Sequence, residues 1–377
     1  MSSTQGSPLE HIVRDAAIVV CCGSGGVGKT STAAALAVRG AEVGRRTCVL
    51  TIDPARRLAQ ALGLDLLSNE PKPVSGKGLP AAGPGSLDAM MLDMRRTFDE
   101  VIERYARDEE QAERILGNRF YQRLSSTLAG TQEYMAMEKL YELHESGRYD
   151  LLVVDTPPTR SALDFLDAPA HLNELLDARA LRLLIGPAQR VGRGYMAGLS
   201  FATNAMARMV RRVTGSELLA EVGEFFAAFE GMYDGFKQRA RRVYELLEHP
   251  GTQFVVVATP DQVALREAAY FAGRLETTRM PLGGLVVNRV HLAAPVPEVP
   301  AAVLERLQSD GADGRLLAML LEQHDALATL AASERRRIAG LVEMAPGTGV
   351  VEVPLLPDDV HDIAGLRRLG AHLFASA

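Results

Sequence analysis

Only three cysteines occur in the 377 residues, Cys21, Cys22 and Cys48, and no two of them form a C-x-x-C pair. Neither a disulfide framework nor a thiolate zinc site is supported. All three fall in apolar, strand-like runs, where cysteine behaves as a small buried hydrophobe. Long hydrophobic runs are missing too: the longest, Ala16 to Cys22, has seven residues, against the ~20 a membrane span requires. The first residues, MSSTQGSPLEHIVRD, lack a charged-then-apolar leader, so the expected location is cytoplasmic, with at most a peripheral membrane contact. Lysine is scarce, with five lysines against 36 arginines among the 41 basic residues. A net charge of −6 and a pI of about 5.8 repel nucleic acid, which is excluded as a partner. The eight histidines show no metal-ligand spacing, and no G-x-S-x-G or nucleophile–base pairing stands out.

Hydrophobic residues make up 47% and charged residues 23%, the balance of a folded globular chain. The length fits two or three domains, or one α/β domain carrying insertions. Short β-branched runs recur at Ala17–Cys22, Thr47–Ile52, Leu151–Asp155, Phe254–Ala258, Leu285–Asn288 and Gly349–Val353. Such runs, mostly apolar and separated by helical patterns, predict strands of a mostly parallel sheet with helices on both faces. Long helical gaps between them predict a single α/β domain over 1–377, with helical insertions at about 88–149 and 165–248 forming a subdomain. Ser68–Leu87 holds four Pro and four Gly and is expected to be irregular, and His291–Ala302 and Gly186–Gly194 also read as loops.

Gly23-Ser24-Gly25-Gly26-Val27-Gly28-Lys29-Thr30 matches G-x-x-x-x-G-K-[ST] in full. A buried strand leads in and the helix-forming run from Ser31 to Ala37 leads out, the context a phosphate-binding P-loop requires. The glycines let the backbone wrap a phosphate with its N–H groups pointing inward, beside the positive end of the new helix. Lys29 is placed to reach the β- and γ-phosphates, the Thr30 hydroxyl to ligate Mg²⁺, and Ser31 to bond the α-phosphate. A P-loop needs a carboxylate at the end of another strand for the metal's water shell. Asp155, ending LLVVD, is that candidate. Asp53 closes the strand Thr47–Ile52 on the side where ligands sit in open α/β sheets, and could orient or deprotonate an attacking water. Thr30, Asp53 and Asp155 are thus the candidate metal-side oxygens, and Lys29, Asp53 and Asp155 the candidate catalytic groups.

Taken together, GSGGVGKTST, TIDPARRLAQAL and VVDTPPTRSALDFL resemble the ArsA/Get-type ATPases, the arsenical pump-driving and tail-anchored-protein-targeting branch of the deviant-Walker P-loop class. TPDQVALREAAYFAGRL, GGLVVNRV and VPLLPDDVHDIAGLRRLG continue the likeness to about residue 370. The resemblance implies a nucleotide-sandwiching dimer that hydrolyses ATP to ADP with Mg²⁺. It puts Asp53 on the water-activating switch I aspartate and Asp155 on the switch II aspartate. Asn288 falls on the asparagine that recognises adenine, and Pro354 and Leu355 on the segment that walls the adenine ring.

Departures from the family pattern also carry meaning. Where the family loop usually has a lysine that crosses the dimer, this chain has Ser24. Either Arg56, Arg57 or Arg160 substitutes, or a heterodimeric paralogue supplies the lysine, or that charge is absent. The last case gives an alternative function, a low-turnover regulatory subunit paired with a catalytic paralogue. A partition or positioning ATPase is a further alternative. The family's cysteine metal sites have no ligands here.

Between Arg179 and Arg212 lie seven arginines and no acidic residue. Tyr195, Leu199, Ala202, Met206, Met209 and Val213 make a one-sided apolar stripe on a helix. The stripe reads as subdomain core, as a groove for a hydrophobic-helix client lined by adaptable methionines, or as a membrane-surface contact. Glu133–Glu138 reads as part of an ordinary helix.

Overall fold

The computed structural model describes residues 7–53, 57–74, 79–80, 82–122, 131–156, 221, 224–225, 228, 232–293, 300–309 and 311–375. The Tyr195–Val213 stripe, the Gly186–Gly194 loop, Arg56 and Arg160 lie outside them. The described elements, in chain order, are α1 (Pro8–Asp15), β1 (Ile18–Cys22), α2 (Lys29–Glu42), β2 (Thr47–Thr51), α3 (Arg57–Ala61), β3 (Lys72–Pro73), β4 (Leu87–Met91), α4 (Met94–Tyr105), α5 (Glu109–Leu116), α6 (Thr131–Glu145) and β5 (Leu151–Asp155). They continue through α7 (Tyr233–Glu248), β6 (Thr252–Ala258), α8 (Gln262–Thr277), β7 (Leu282–Val290), α9 (Ala301–Ser309), α10 (Gly311–Met344), β8 (Val350–Pro354) and α11 (Ile363–Leu373).

The chain divides into two compact units, one of Met1–Met91, Leu143–Leu163 and Leu247–Ala377, the other of Leu92–Glu142 and Asp164–Leu246. The first carries an eight-stranded sheet ordered β3-β4-β2-β5-β1-β6-β7-β8. All pairs are parallel except β3 with β4. The mostly parallel α/β architecture expected from the runs is what is found. Strands β1, β2 and β5 are buried at every position, because helices shield both faces of a parallel sheet and leave no solvent side for polar alternation.

Register decides which residues meet. Cys21 pairs with Asp155 across β1 and β5, and Thr51 pairs with Asp155 across β2 and β5. Three adjacent strands therefore end at one level, and the segments that follow them share one edge of the sheet.

Three expectations need correction. The 88–149 insertion was expected to be helical, but Leu87–Met91 is β4, parallel to β2, and Lys72–Pro73 inside the Pro-rich segment is β3, antiparallel to β4. Leu-Asp-Ala-Met-Met contains good helix formers and no β-branched residue, so only its pairing with β2 selects the extended state. Nor does Asn288 end its strand. Glycines before it and Asn-Arg after Val287 shorten the apolar run, yet ladder bonds carry β7 from Leu282 to Val290, with a register shift between Val287 and Val290.

The second unit is helical in its described residues. Its α6 is buried all round from Tyr134 to Leu140, which marks a central helix rather than a surface one. Glu138 in that helix is 1% exposed. It takes two bonds from Arg239 Nε, at 3.0 and 3.1 Å. The guanidinium also lies 3.9 Å from the Tyr141 ring centroid. Burial raises the Glu138 carboxyl, while Arg239 and Arg104 pull it down. Removing one partner leaves the other charge buried. Arg239→Ala is therefore expected to destabilise the folded chain by about 3–5 kcal/mol, read as a lowered midpoint in urea. An unchanged midpoint would show that the pair contributes nothing.

Candidate nucleotide site

The loop Gly23–Gly28 leaves β1 and enters α2, and two of its glycines are required by space. Gly23 has φ 143°, and a Cβ there would come 2.0 Å from the Val257 carbonyl oxygen. Gly28 caps α2 at φ 99°, and a Cβ would come 2.3 Å from Asn288 Nδ2. Both backbone conformations are closed to ordinary side chains. Gly23→Ala is expected to lower the stability of the folded chain by roughly 3 kcal/mol, from strain and overpacking together. Thermal unfolding checks it, and a midpoint equal to the parent's would contradict the packing.

Lys29, the first residue of α2, is 6% exposed. Its Nζ donates to the Ser24 carbonyl at 2.7 Å, spanning the loop from inside. Burial lowers its pKa, opposed most by the charge of Asp155. The next residue, Thr30, donates its hydroxyl to Asp155 Oδ2 at 2.9 Å, and Thr51 donates to the same oxygen at 2.9 Å. Asp155 is fully buried, and its Oδ1 has no hydrogen-bond partner among the described residues. Burial pushes its carboxyl up to about 6, against the pull of the two hydroxyls and Lys29. Asp53, just past β2, donates its backbone N–H to Thr51 Oγ1 at 3.2 Å. Thr156 clamps the neighbouring strand ends, its hydroxyl donating to the Cys21 carbonyl at 2.8 Å. Ser31 is half-buried in the first turn of α2.

The far wall comes from β7 and β8. Asn288 Nδ2 donates to the Val27 carbonyl at 2.9 Å, so this side chain braces the loop. Leu355 N donates to the Val290 carbonyl at 2.9 Å, and Val290 pairs with Pro354. Pro354 and Leu355 therefore lie beside the end of β7, two residues beyond Asn288, with Leu355 about half exposed. A cavity of about 560 Å³ opens beside the loop, lined by Ser24, Gly25, Gly26 and Val27, by Glu267 of α8 and by Arg289. The Ser24 hydroxyl donates to Glu267.

Each candidate site residue thus lies along one edge of the sheet, with Asn288, Pro354 and Leu355 on its β7–β8 side. Of the arginines singled out beside the switch aspartates, Arg57 begins α3 and is exposed. Sequence reasoning missed Thr51, Thr156, Glu267 and Arg289. Thr51 and Thr156 could have been found as hydroxyls at strand ends, whereas Glu267 and Arg289 carry no local signal.

The donor set suits a magnesium-bound triphosphate. A buried carboxylate with one oxygen unpartnered, adjoining a threonine hydroxyl at a helix N-terminus, is a hard-oxygen arrangement of the kind Mg²⁺ takes. The cysteines offer nothing comparable. All three are buried, their thiols raised by burial, and among the described residues no cluster of His, Cys, Asp and Glu could hold a metal by itself. No described helix is long and apolar enough to cross a membrane.

Comparison with known proteins places the chain among ATPases. The chain is 26% identical to the ATPase get3 of Schizosaccharomyces japonicus over 79% of its own length and 82% of that protein's. It is 25% identical to a putative arsenical pump-driving ATPase 1 of Aquifex aeolicus, over 77% of this chain and 67% of that one. With the ATPase GET3 of Malassezia globosa it shares 29% identity over 55% of this chain, spanning 59% of the relative. The sequence profile of the ArsA-type anion-transporting ATPases matches residues 16–311, more than three quarters of the chain, and the protein belongs to that family.

Proposed function

We propose that this ATPase binds Mg²⁺-ATP at the Gly23–Thr30 loop and hydrolyses it as a conformational switch. The observation carrying the reading is the buried Asp155 carboxylate, with Oδ1 unpartnered and Oδ2 held by Thr30 and Thr51. A charge kept out of water with half its hydrogen-bonding capacity unused is destabilising unless a ligand completes it. Mg²⁺, when bound, would supply positive charge against the β- and γ-phosphates. Thr30 and Asp155 are the residues to hold it and its water shell, with Asp53 beside them.

The chain's own groups do the rest. Loop N–H groups and the N-terminus of α2 receive the phosphates. Lys29 exchanges the Ser24 carbonyl for phosphate oxygens, so its charge moves from a neutral acceptor to an anion. Asp53 orients the attacking water and can accept its proton. Asn288, Pro354 and Leu355 frame the base. Segments following Asp53 and Asp155 couple loss of the γ-phosphate to movement elsewhere in the chain, with the helical insertions as the subdomain that responds.

The relatives' names give an ATPase, and the motif resemblance extends this to a dimer in the cytoplasm acting on hydrophobic helices or membrane-protein clients. A second reading, a low-turnover regulatory subunit of a heterodimer, is favoured by Ser24, whose hydroxyl is already committed to Glu267. Phosphate release by the purified full chain, with and without Mg²⁺, separates the two. Metal-dependent multiple turnover supports the switch. Tight nucleotide binding with less than one turnover supports the regulatory subunit, and no binding at all rules out both.

A further inference from the structure

We propose that Arg289 is a nucleotide-contacting cation, reading the phosphate-bearing part of an adenine nucleotide from the end of β7. The inference rests on the nucleotide reading above and adds a residue to it. Arg289 lines the cavity beside Ser24, Gly25, Gly26 and Val27 and is exposed to it. Two carboxylates share that cavity, and both are already engaged. Glu267 accepts the Ser24 hydroxyl. Asp261 caps α8, accepting from Val263 N at 3.1 Å and Ala264 N at 2.9 Å, with the Thr259 hydroxyl on its other oxygen. No ion pair to Arg289 is present among the described residues, so its charge faces the cavity uncommitted, toward a loop whose geometry receives anions.

The backbone presents this side chain deliberately. Arg289 has φ 64°, one of two non-glycine residues with positive φ among those described, a conformation that persists only where its surroundings hold it. Asn288 Oδ1 accepts the Arg289 N–H at 3.0 Å on one side. On the other, Glu334 of α10, 4% exposed, accepts both the His291 N–H and its Nδ1, each at 2.8 Å. Glu334 is therefore a positioning residue. It fixes His291, and His291 and Asn288 together fix the turn that aims Arg289.

Calorimetric titration of the full chain with ADP and Mg²⁺, at low and at high salt, tests this. Arg289→Ala and Arg289→Asn should weaken ADP binding roughly 10- to 100-fold at low salt. Asn tolerates the left-handed region, so it separates charge from backbone strain. The gap should narrow at high salt, where an exposed charge is screened, and Arg289→Lys should recover most of the loss. Glu334→Ala should weaken binding in the same salt-dependent way, with Glu334→Gln, which keeps an acceptor for the His291 N–H, restoring it. An ADP affinity unchanged in both Arg289 variants, or a loss equal at both salts, overturns the proposal while leaving the nucleotide reading intact. A parent chain that binds no ADP overturns both.

Discussion

Lys29→Ala is expected to reduce ATP turnover by on the order of 10²–10³-fold while leaving the fold in place. The side chain is buried, but its Nζ donates to the Ser24 carbonyl within its own loop, so truncation removes one internal bond and the packing of one aliphatic stem. Its charge is held in a site where burial already opposes ionisation, a low-dielectric setting in which a cation acts strongly on developing phosphate charge. Steady-state phosphate release, compared with the circular dichroism melt of the same variant, checks the claim. Turnover within threefold of the parent would remove Lys29 from the mechanism. A collapsed melt would instead reveal a structural residue.

Asp155→Asn should act in two opposite directions. Turnover should fall by on the order of 10²–10³-fold, because the carboxylate proposed to hold the metal's water shell is gone. Metal-free stability at neutral pH should rise by about 1–3 kcal/mol. Burial lifts the Asp155 carboxyl from 3.8 to about 6, and ~2 pK units correspond to about 3 kcal/mol of destabilisation when the group is ionised. A carboxyl whose folded pKa is raised destabilises fully above the folded value, and the effect vanishes below the unfolded one. The advantage of Asn over Asp should therefore be complete above about pH 6 and fade toward pH 4. Melts in chelator across that range test it. An Asn variant less stable than the parent at pH 7.5 would mean that Oδ1 is not an orphan in solution.

The glycine loop could be read locally because phosphate binding needs a contiguous run of backbone. Gly23, Gly28, Lys29 and Thr30 must follow one another for the loop to close and the helix to start. Asp53 and Asp155 were legible for a related reason, as each stands at the end of a short, mostly apolar strand run. What escaped was every group whose partner lies far along the chain. Thr51 matters only because β2 and β5 pair in the register Thr51↔Asp155. Glu267 reaches Ser24 across 243 positions. Strand β4 was invisible since its residues favour a helix as much as a strand, and the pairing that decides between them comes from β2.

Asn288 has a part in the fold that the resemblance does not give. The resemblance implies a role toward adenine for it. In the folded chain its amide also braces the Val27 carbonyl, and this close approach is one reason Gly28 cannot carry a side chain. Ser24 is a second case. The serine appeared as a missing charge, whereas in the fold its hydroxyl is tied to Glu267 and a different cation, Arg289, faces the loop.

Local sequence was enough for the parallel α/β class, the glycine-rich loop and the two strand-end aspartates, since each is encoded in a short contiguous pattern of polarity and backbone freedom. It took the folded chain to leave one Asp155 oxygen unpartnered among the described residues, to prop the loop on Asn288 and to tie His291 to Glu334 beside Arg289. Burial and hydrogen-bond satisfaction are properties of a three-dimensional neighbourhood, and in this chain that neighbourhood is assembled by strand order and register.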